Sequence, residues 1–560
     1  METSNDYSST NVDILPIVKE YGRRMGIVGI IDKALLADSG MRVSPGLIVL
    51  GLIMNILSTR SPLYLVEEFF EGKDVILLLG ESMTAAKFTD DTIGRVLDLI
   101  YEYGTWKLFS DISVFVTKAF SIELSEGHQD TTSVTVWGEY EEKDGDTLKI
   151  NRGHSKDLFP ANNQYVINLL CAEGNIPIFA GIHDGNSSDK KINGSILAEL
   201  PQIMAAHGVN MSKFIYVSDS AMVTKPNLKI INDSESILFI SRMPANFKNC
   251  EELKRAAVAK PDSWQSLGQL SKKIAKGVNV CANYRVQESN TTIDGESYRT
   301  LILHSDVLEV CHQNAIDKKI LKDKNETEKK IAKFSRKKFS CITDVEAEVA
   351  KFEHGKYHKA FFSIQEQPVF TSGRPNKDGT RNVKGTQYEI TGTCSEKSEV
   401  ITNMKEMAGC FVLLSNVATD KKTSLEILKI YKDQNGIESN FAFLKDPLIV
   451  NDTFLKKPSR IEALGLLLVL ALLLSRLMER TMRNSIKEDD SKLEGWNKVA
   501  TKKPTTKIIK SKFSTIIVRK YENKRLLEKP LNEVQLAYLK ALEVSPDVYT
   551  SYKKATIYSG

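Results

Sequence analysis

The feature that most constrains this chain is a change of period near residue 121. Before it, segments such as ILPIVKEYGRRMGIVGIIDKAL and PGLIVLGLIMNIL place apolar side chains at steps of three and four, as helices packed by one face require. After it come three extended runs rich in β-branched residues, DTTSVTVWGEY, QYVINLLCAEG and IPIFAGIHDG, each bounded by Gly, Asn or Asp. Short connections make these three a meander. A helical stretch (INGSILAELPQIMAAHG), a short apolar strand (FIYVSDS), a helical piece over residues 224–232 and another strand (SILFISRMP) follow. Strands reached through helices pair in parallel, so the order predicts an α/β fold with a mixed sheet flanked by helices.

Over residues 246–400 the alternation is lost. Strand-like runs (NVCANYRV, YRTLILHS, KAFFSIQEQPVF, TQYEITGTC) surround a basic helical segment at 318–338, which predicts a β-rich insertion. The core sheet is expected to resume at CFVLLSN, residues 410–416, followed by a helix over 424–444. The chain then divides into a helical N-terminal domain (1–120), a first part of the core (121–245), the insertion (246–400), a second part of the core (401–482) and a basic C-terminal region (483–560). The run ALGLLLVLALLL at 463–474 has a dozen apolar residues, fewer than the roughly 18 a membrane span needs, so a buried core helix is expected and no membrane.

Composition narrows the class. At 560 residues with 42% hydrophobic and 26% charged side chains, the chain excludes collagen-like, mucin-like and wholly disordered proteins. Its seven cysteines are spread without any C-x-x-C pair, so neither a disulfide framework nor a zinc ribbon is indicated, and METSNDYSST lacks the basic and apolar parts of an export signal. A reducing, cytoplasmic setting is expected. The net charge of +5 says little, but residues 491–530 carry twelve Lys and Arg against three acids, a local excess that suits a phosphate backbone.

Two aspartates sit where a metal site would want them. Asp130 lies in the first strand and Asp219 ends the fourth, both presented from a sheet, although an Asp after an apolar strand also serves turns and caps. On the helix after CFVLLSN, Tyr431, Gln434, Glu438 and Lys445 are spaced by three, four and seven. In one continuous helix they fall within an arc of roughly 60°. Ile430, Ile437, Phe441 and Leu444 form an apolar stripe beside them, and an exposed polar face is the plainer alternative for the first row. Three converging carboxylates repel one another unless a cation sits among them. Magnesium takes oxygen ligands, and two such ions about 3.5 to 4 Å apart clamp the attacking and leaving oxygens of a phosphodiester.

This set of residues resembles the DDE transposases of bacterial insertion sequences, in the insertion-sequence-four-like branch marked Y-x2-R-x3-E-x6-K. The segments Gly153-His154-Ser155-Lys156-Asp157, Gly185-Asn186 with Asp189, Phe443-Leu444-Lys445-Asp446-Pro447 and Lys456-Lys457-Pro458-Ser459-Arg460 look like family segments. The resemblance implies a ribonuclease-H-like core interrupted by a β-rich insertion before the glutamate helix. It also implies that Asp130, Asp219 and Glu438 bind two magnesium ions, with manganese as a substitute. Tyr431 and Lys445 would contact phosphates of the element's end, joined by His154 and Lys156. Gln434 stands where the signature has Arg, exchanging a charge-assisted contact for a neutral hydrogen bond.

The implied reaction is cleavage at the insertion-sequence end followed by in-line attack of the freed 3′-OH on target DNA. The implied partners are double-stranded DNA, both terminal inverted repeats and target, and a second copy of the chain in a paired-end complex, in the bacterial cytoplasm at the nucleoid. The N-terminal helical unit is the expected reader of bases. A lapsed transposase that only binds DNA and a magnesium nuclease of the same fold are the alternatives. His128, Trp137, Trp264 and Trp496 are expected to be structural, with base stacking as the second role for the last two.

Overall fold

The computed structural model describes residues 7–35, 40–136, 148–153, 162–234, 236–275, 278–375, 377–445, 455, 457–522 and 524–551. It forms two compact units: Met1–Ser241 with Ser415–Val417 and Glu426–Gly560, and Arg242–Leu414 with Ala418–Leu425.

The first unit begins with β1 (Tyr7–Asn11), which pairs antiparallel with Ile517–Tyr521 and so ties the two ends of the described chain together. Helices then run to Ala119, and their ends are set by local chemistry. Ser44 accepts the Leu47 N–H at 3.0 Å and Pro45 opens the helix Pro45–Leu57, as the sequence predicts. Thr89 caps Asp90–Tyr103, where Asp90 and Asp91 favour the positive end of the dipole.

The predicted meander follows. Strands β2 (Glu126–Val136), β3 (Asn163–Ala172) and β4 (Ile176–His183) pair antiparallel in sequence. Gly174 (φ 71°) and Asn175 (φ 61°) turn the chain between β3 and β4, the two residue types that tolerate the left-handed region. The helix Asp189–Ala206 leads into β5 (Ile215–Ser218) and Lys225–Ser234 leads into β6 (Leu238–Arg242). These crossovers make β2–β5 and β5–β6 parallel, so the order across this unit is β4-β3-β2-β5-β6.

The apolar run at 463–474 is the middle of a longer helix, Pro458–Glu488, whose most apolar 18-residue window has a mean hydropathy of 2.2 and is 94% buried. By length and composition alone it could cross a membrane, yet it lies inside this unit, packed against β4 and the N-terminal helices. Hydropathy undercounts it because its second half buries Arg476 and Glu479 as partners of one another.

In the second unit, β7 (Gln265–Ala275), β8 (Val278–Ile293) and β9 (Glu296–Ser305) form an antiparallel meander, and β9 continues to β12 (Cys410–Ser415). The run expected to reopen the core sheet does so at its end, where Ser415 Oγ donates to the Phe239 carbonyl at 2.6 Å and Asn416 Oδ1 accepts the Phe239 N–H at 2.8 Å within the first unit, while its residues as far as Leu414 belong to the second unit. The 29-residue helix Asp306–Phe334 packs on a long hairpin of β10 (His358–Phe370) and β11 (Val383–Glu396).

Candidate active site

The two aspartates meet through strand register. In the parallel pair, Gly127 stands beside Tyr216 and His128 beside Val217, and Ser218 Oγ lies 2.9 Å from Gln129 Oε1. Continued past the last paired residues, this register brings Asp130 level with Asp219, the residue that follows β5. Side chains alternate across a sheet, so Gln129, Thr131, Tyr216 and Ser218 share one face. The helix Asp189–Ala206 covers that face: Tyr216 Oη and Ser218 Oγ both sit 2.9 Å from Asn193 Oδ1, and Thr131 Oγ1 donates to Asp189 Oδ1 at 2.5 Å. Asp130 and Asp219 take the opposite face, both half-buried. Asp130 Oδ1 accepts the Thr131 N–H at 2.7 Å and Asp219 Oδ1 accepts the Ala221 N–H at 3.0 Å.

The glutamate helix, Asn435–Leu444, docks on that same face. Asn440 is fully buried and its Nδ2 donates to the Asn175 carbonyl at 2.9 Å and approaches Cys171 Sγ at 3.3 Å. Cys171 pairs with His128 across β2–β3, two residues from Asp130. Burial pushes the Cys171 thiol up to about 12; the Asn440 hydrogen bond and the Arg476 charge act against this, and the nearby Asp130 charge adds to it. Arg476 holds the helix from the other side, donating from Nε to Asn440 Oδ1 at 2.7 Å and from Nη2 to Ser439 Oγ at 3.0 Å. Its third contact is Nη1 to Glu479 Oε2 at 2.7 Å. Ile437, Phe441 and Leu444 are buried as predicted, which leaves Glu438 exposed at the rim of the apolar stripe.

Extended by register, Asp130 and Asp219 fall level on adjoining strands, and the helix that carries Glu438 packs on the face that carries His128 and Cys171. Among the described residues, no group of three or more His, Cys, Asp or Glu side chains is closed into a metal-holding cluster.

The helix that carries the polar row is not continuous. The expected helix over 424–444 is two helices, Ser424–Asp433 and Asn435–Leu444, broken at Gln434. The sequence there is Gln434-Asn435-Gly436, and Asn and Gly are weak helix formers. Gly436 also lies so near the β3–β4 turn that a Cβ would collide with the Asn175 side chain. Gln434 itself keeps helical angles (φ −53°, ψ −27°), and the junction is a local tightening in which the Ile437 N–H bonds the Gln434 carbonyl at 3.1 Å. Tyr431 is half-buried in the first helix, Gln434 sits at the junction, and Lys445 caps the second helix, its N–H bonded to the Phe441 carbonyl at 2.9 Å. His154, Lys156 and Trp137 lie outside the described residues.

His128 is buried, and burial lowers its pKa to about 4, so its ring is neutral at neutral pH. Trp264 is partly buried under the Arg285 guanidinium at 4.9 Å, whereas Trp496, expected to be core, is 55% exposed on a turn held by Gly495 and Val499. Asn440 and Arg476 escape sequence reasoning; Arg476 stands one residue beyond an apolar run, after Ser475, where a surface end is the ordinary reading. The basic C-terminal region is also partly consumed by the fold. Arg525 is buried against Asp74 at 2.6 Å, and Lys512 pairs with Glu494, Arg519 with Glu528 and Lys502 with Asp490.

Residues 7–114, within the helical N-terminal part, match the family described as a domain of unknown function, DUF4277. No curated relative matches the chain. Among solved structures, the chain is similar to the piggyBac transposase in a cryo-EM synaptic complex with hairpin DNA, at 8% identity and a TM-score of 0.36, over 89% of this chain and 79% of that one.

Proposed function

We propose that this chain is a DDE transposase that cuts DNA at the ends of an insertion sequence and joins them to target DNA. The observation that supports the reading is the parallel register of β2 and β5, which continued by two residues brings Asp130 level with Asp219, together with the docking of the Glu438 helix on that sheet face. Three antiparallel strands followed by two parallel ones support a ribonuclease-H-like description of the first unit.

Adjacent carboxylates repel when both are ionised, and an oxygen-seeking divalent cation relieves that repulsion, so the donor set fits magnesium, with manganese as a substitute. Asp130 and Asp219 would hold it, with Glu438 as the further ligand. Bound there, the metal supplies Lewis-acid polarisation of a phosphodiester and a more acidic water. The chain's own part is to fix the carboxylates. The Asn193 and Asp189 contacts lock the far face of β2 and β5, and the Asn440–Arg476 contacts hold the glutamate helix. Tyr431 and Lys445 would meet phosphates of the element's end, with the neutral Gln434 contributing less than an Arg. The DNA partners are terminal inverted repeats and target, and the working unit is a pair of chains.

The test is incubation of the purified protein with magnesium and a duplex carrying the inverted repeats that flank its gene, scoring nicked ends and joined products. Asp130→Ala and Asp219→Ala should each abolish both products while binding the duplex as the parent does. Unchanged cleavage in both variants overturns the reading, and nicked ends that never join to target point to a nuclease.

A further inference from the structure

The hairpin of β10 and β11 changes character along its length. Near its root, Phe362, Ile364, Tyr388 and Ile390 pack on Phe334 and Val345. Beyond that point Glu366–Phe370 and Val383–Gly385 are exposed on both faces, as are the described residues of the turn between the strands. The ladder nevertheless continues to Phe370 opposite Val383, and the Thr371 N–H bonds the Asn382 carbonyl at 2.9 Å. This leaves roughly 17 Å of two-stranded ribbon, at 3.4 Å per residue, standing clear of its own core. A bare two-stranded ribbon is marginal in water, so the segment fits a surface that a partner covers.

The chemistry of the tip says which partner. Arg374, Lys377, Arg381 and Lys384 lie within eleven residues, and the one acid among them, Asp378, accepts from the Thr380 N–H at 3.1 Å and the Thr380 hydroxyl at 2.7 Å. Among the described residues none of the four cations forms an ion pair. On the long helix of this unit, by contrast, Lys322 faces Glu326, Lys324 faces Glu328 and Lys330 faces Glu353. Val369, Phe370 and Val383 are exposed beside the cations.

We infer that the distal ribbon, residues 366–385, is a duplex-DNA arm that lies in a groove, with the four cations on phosphates and the apolar side chains toward base edges. The major groove is about 12 Å wide and admits a two-stranded ribbon, where thymine methyls meet apolar side chains. This rests on DNA being the partner, as proposed above.

The test uses the full chain with Arg374, Lys377, Arg381 and Lys384 all changed to Gln, titrated onto a mixed-sequence duplex of about 30 base pairs. Four phosphate contacts contribute about 3.6 to the slope of log K against log salt, or about 150-fold in affinity between 50 and 200 mM salt. The variant should lose that part of the slope, and a version with Arg374→Lys and Arg381→Lys only should keep it. An unchanged slope and affinity in the Gln variant overturns the inference. So does an unchanged slope together with a lost dimer in sedimentation, which would make the ribbon a contact between copies. A parent protein that binds no duplex removes the functional proposal itself, a result distinct from either.

Discussion

Arg476→Met should loosen the glutamate helix while leaving Asp130, Asp219 and Glu438 unchanged. Arg476 is 11% exposed and makes three bonds, to Asn440, Ser439 and Glu479. Methionine keeps most of the length and none of the donors. Removing one partner of a buried pair costs about 3 to 5 kcal/mol. Here Glu479 retains Arg483 at 2.9 Å and the Thr506 N–H at 3.0 Å. The buried Asn440 Oδ1 loses its donor, which costs about 1 to 3 kcal/mol by itself. Together these place the loss near 3 kcal/mol, which at a slope of about 3 kcal/mol per molar moves the urea midpoint of the first unit down by about 1 M. Urea unfolding followed by circular dichroism reads this, and a cleavage assay reads the second effect, a fall in rate with duplex binding retained. Arg476→Lys should fall between, keeping the Glu479 contact and losing the fork. A methionine variant that unfolds within about 0.5 kcal/mol of the parent and cuts at the parent rate would refute the positioning role, since surface changes stay within that range.

Gly185→Ala should destabilise the β3–β4 end of the sheet by about 1 to 3 kcal/mol, because a Cβ there meets the backbone carbonyls of Gln164 and Asn151, which cannot swing aside; a neutral or stabilising result would contradict it. Asp74→Asn should cost about 3 to 5 kcal/mol at pH 7 by leaving the buried Arg525 without its carboxylate. Burial alone would raise the Asp74 pKa, but the Arg525 hydrogen bond, the Leu77 N–H and the Arg525 charge together hold it below the ordinary 3.8. A depressed carboxylate stabilises the fold above its unfolded pKa and loses that contribution as pH falls through the folded value. The difference between parent and Asp74→Asn should therefore be constant above about pH 5 and shrink below 3.8. A difference independent of pH down to 2.5 would contradict it.

Much of the first unit was legible because its strands are covered on both sides and so read as β-branched runs with Gly, Asn and Asp at their ends. The meander and the order of strands that brings β2 next to β5 follow from that. What could not be read arises where tertiary partners override local pattern. The junction at Gln434 lies beside Gly436, whose close approach to Asn175, 261 residues earlier in the chain, has no local signal. The length of the helix Pro458–Glu488 depends on Arg476, Glu479 and Arg483 neutralising one another out of water. β1 finds its partner near residue 520, a pairing without local signal. The basic residues of 491–530 read as a phosphate surface until Asp74, Glu494 and Glu528 come into contact with them.

The claim that Asp130, Asp219 and Glu438 serve one cation site is tested most directly by manganese binding, read by electron paramagnetic resonance on the full-length protein without DNA. The parent should take up manganese, and Asp130→Ala, Asp219→Ala and Glu438→Ala should each weaken that uptake at least about tenfold while retaining the parent's urea midpoint. Equal uptake by the parent and all three variants would contradict the account.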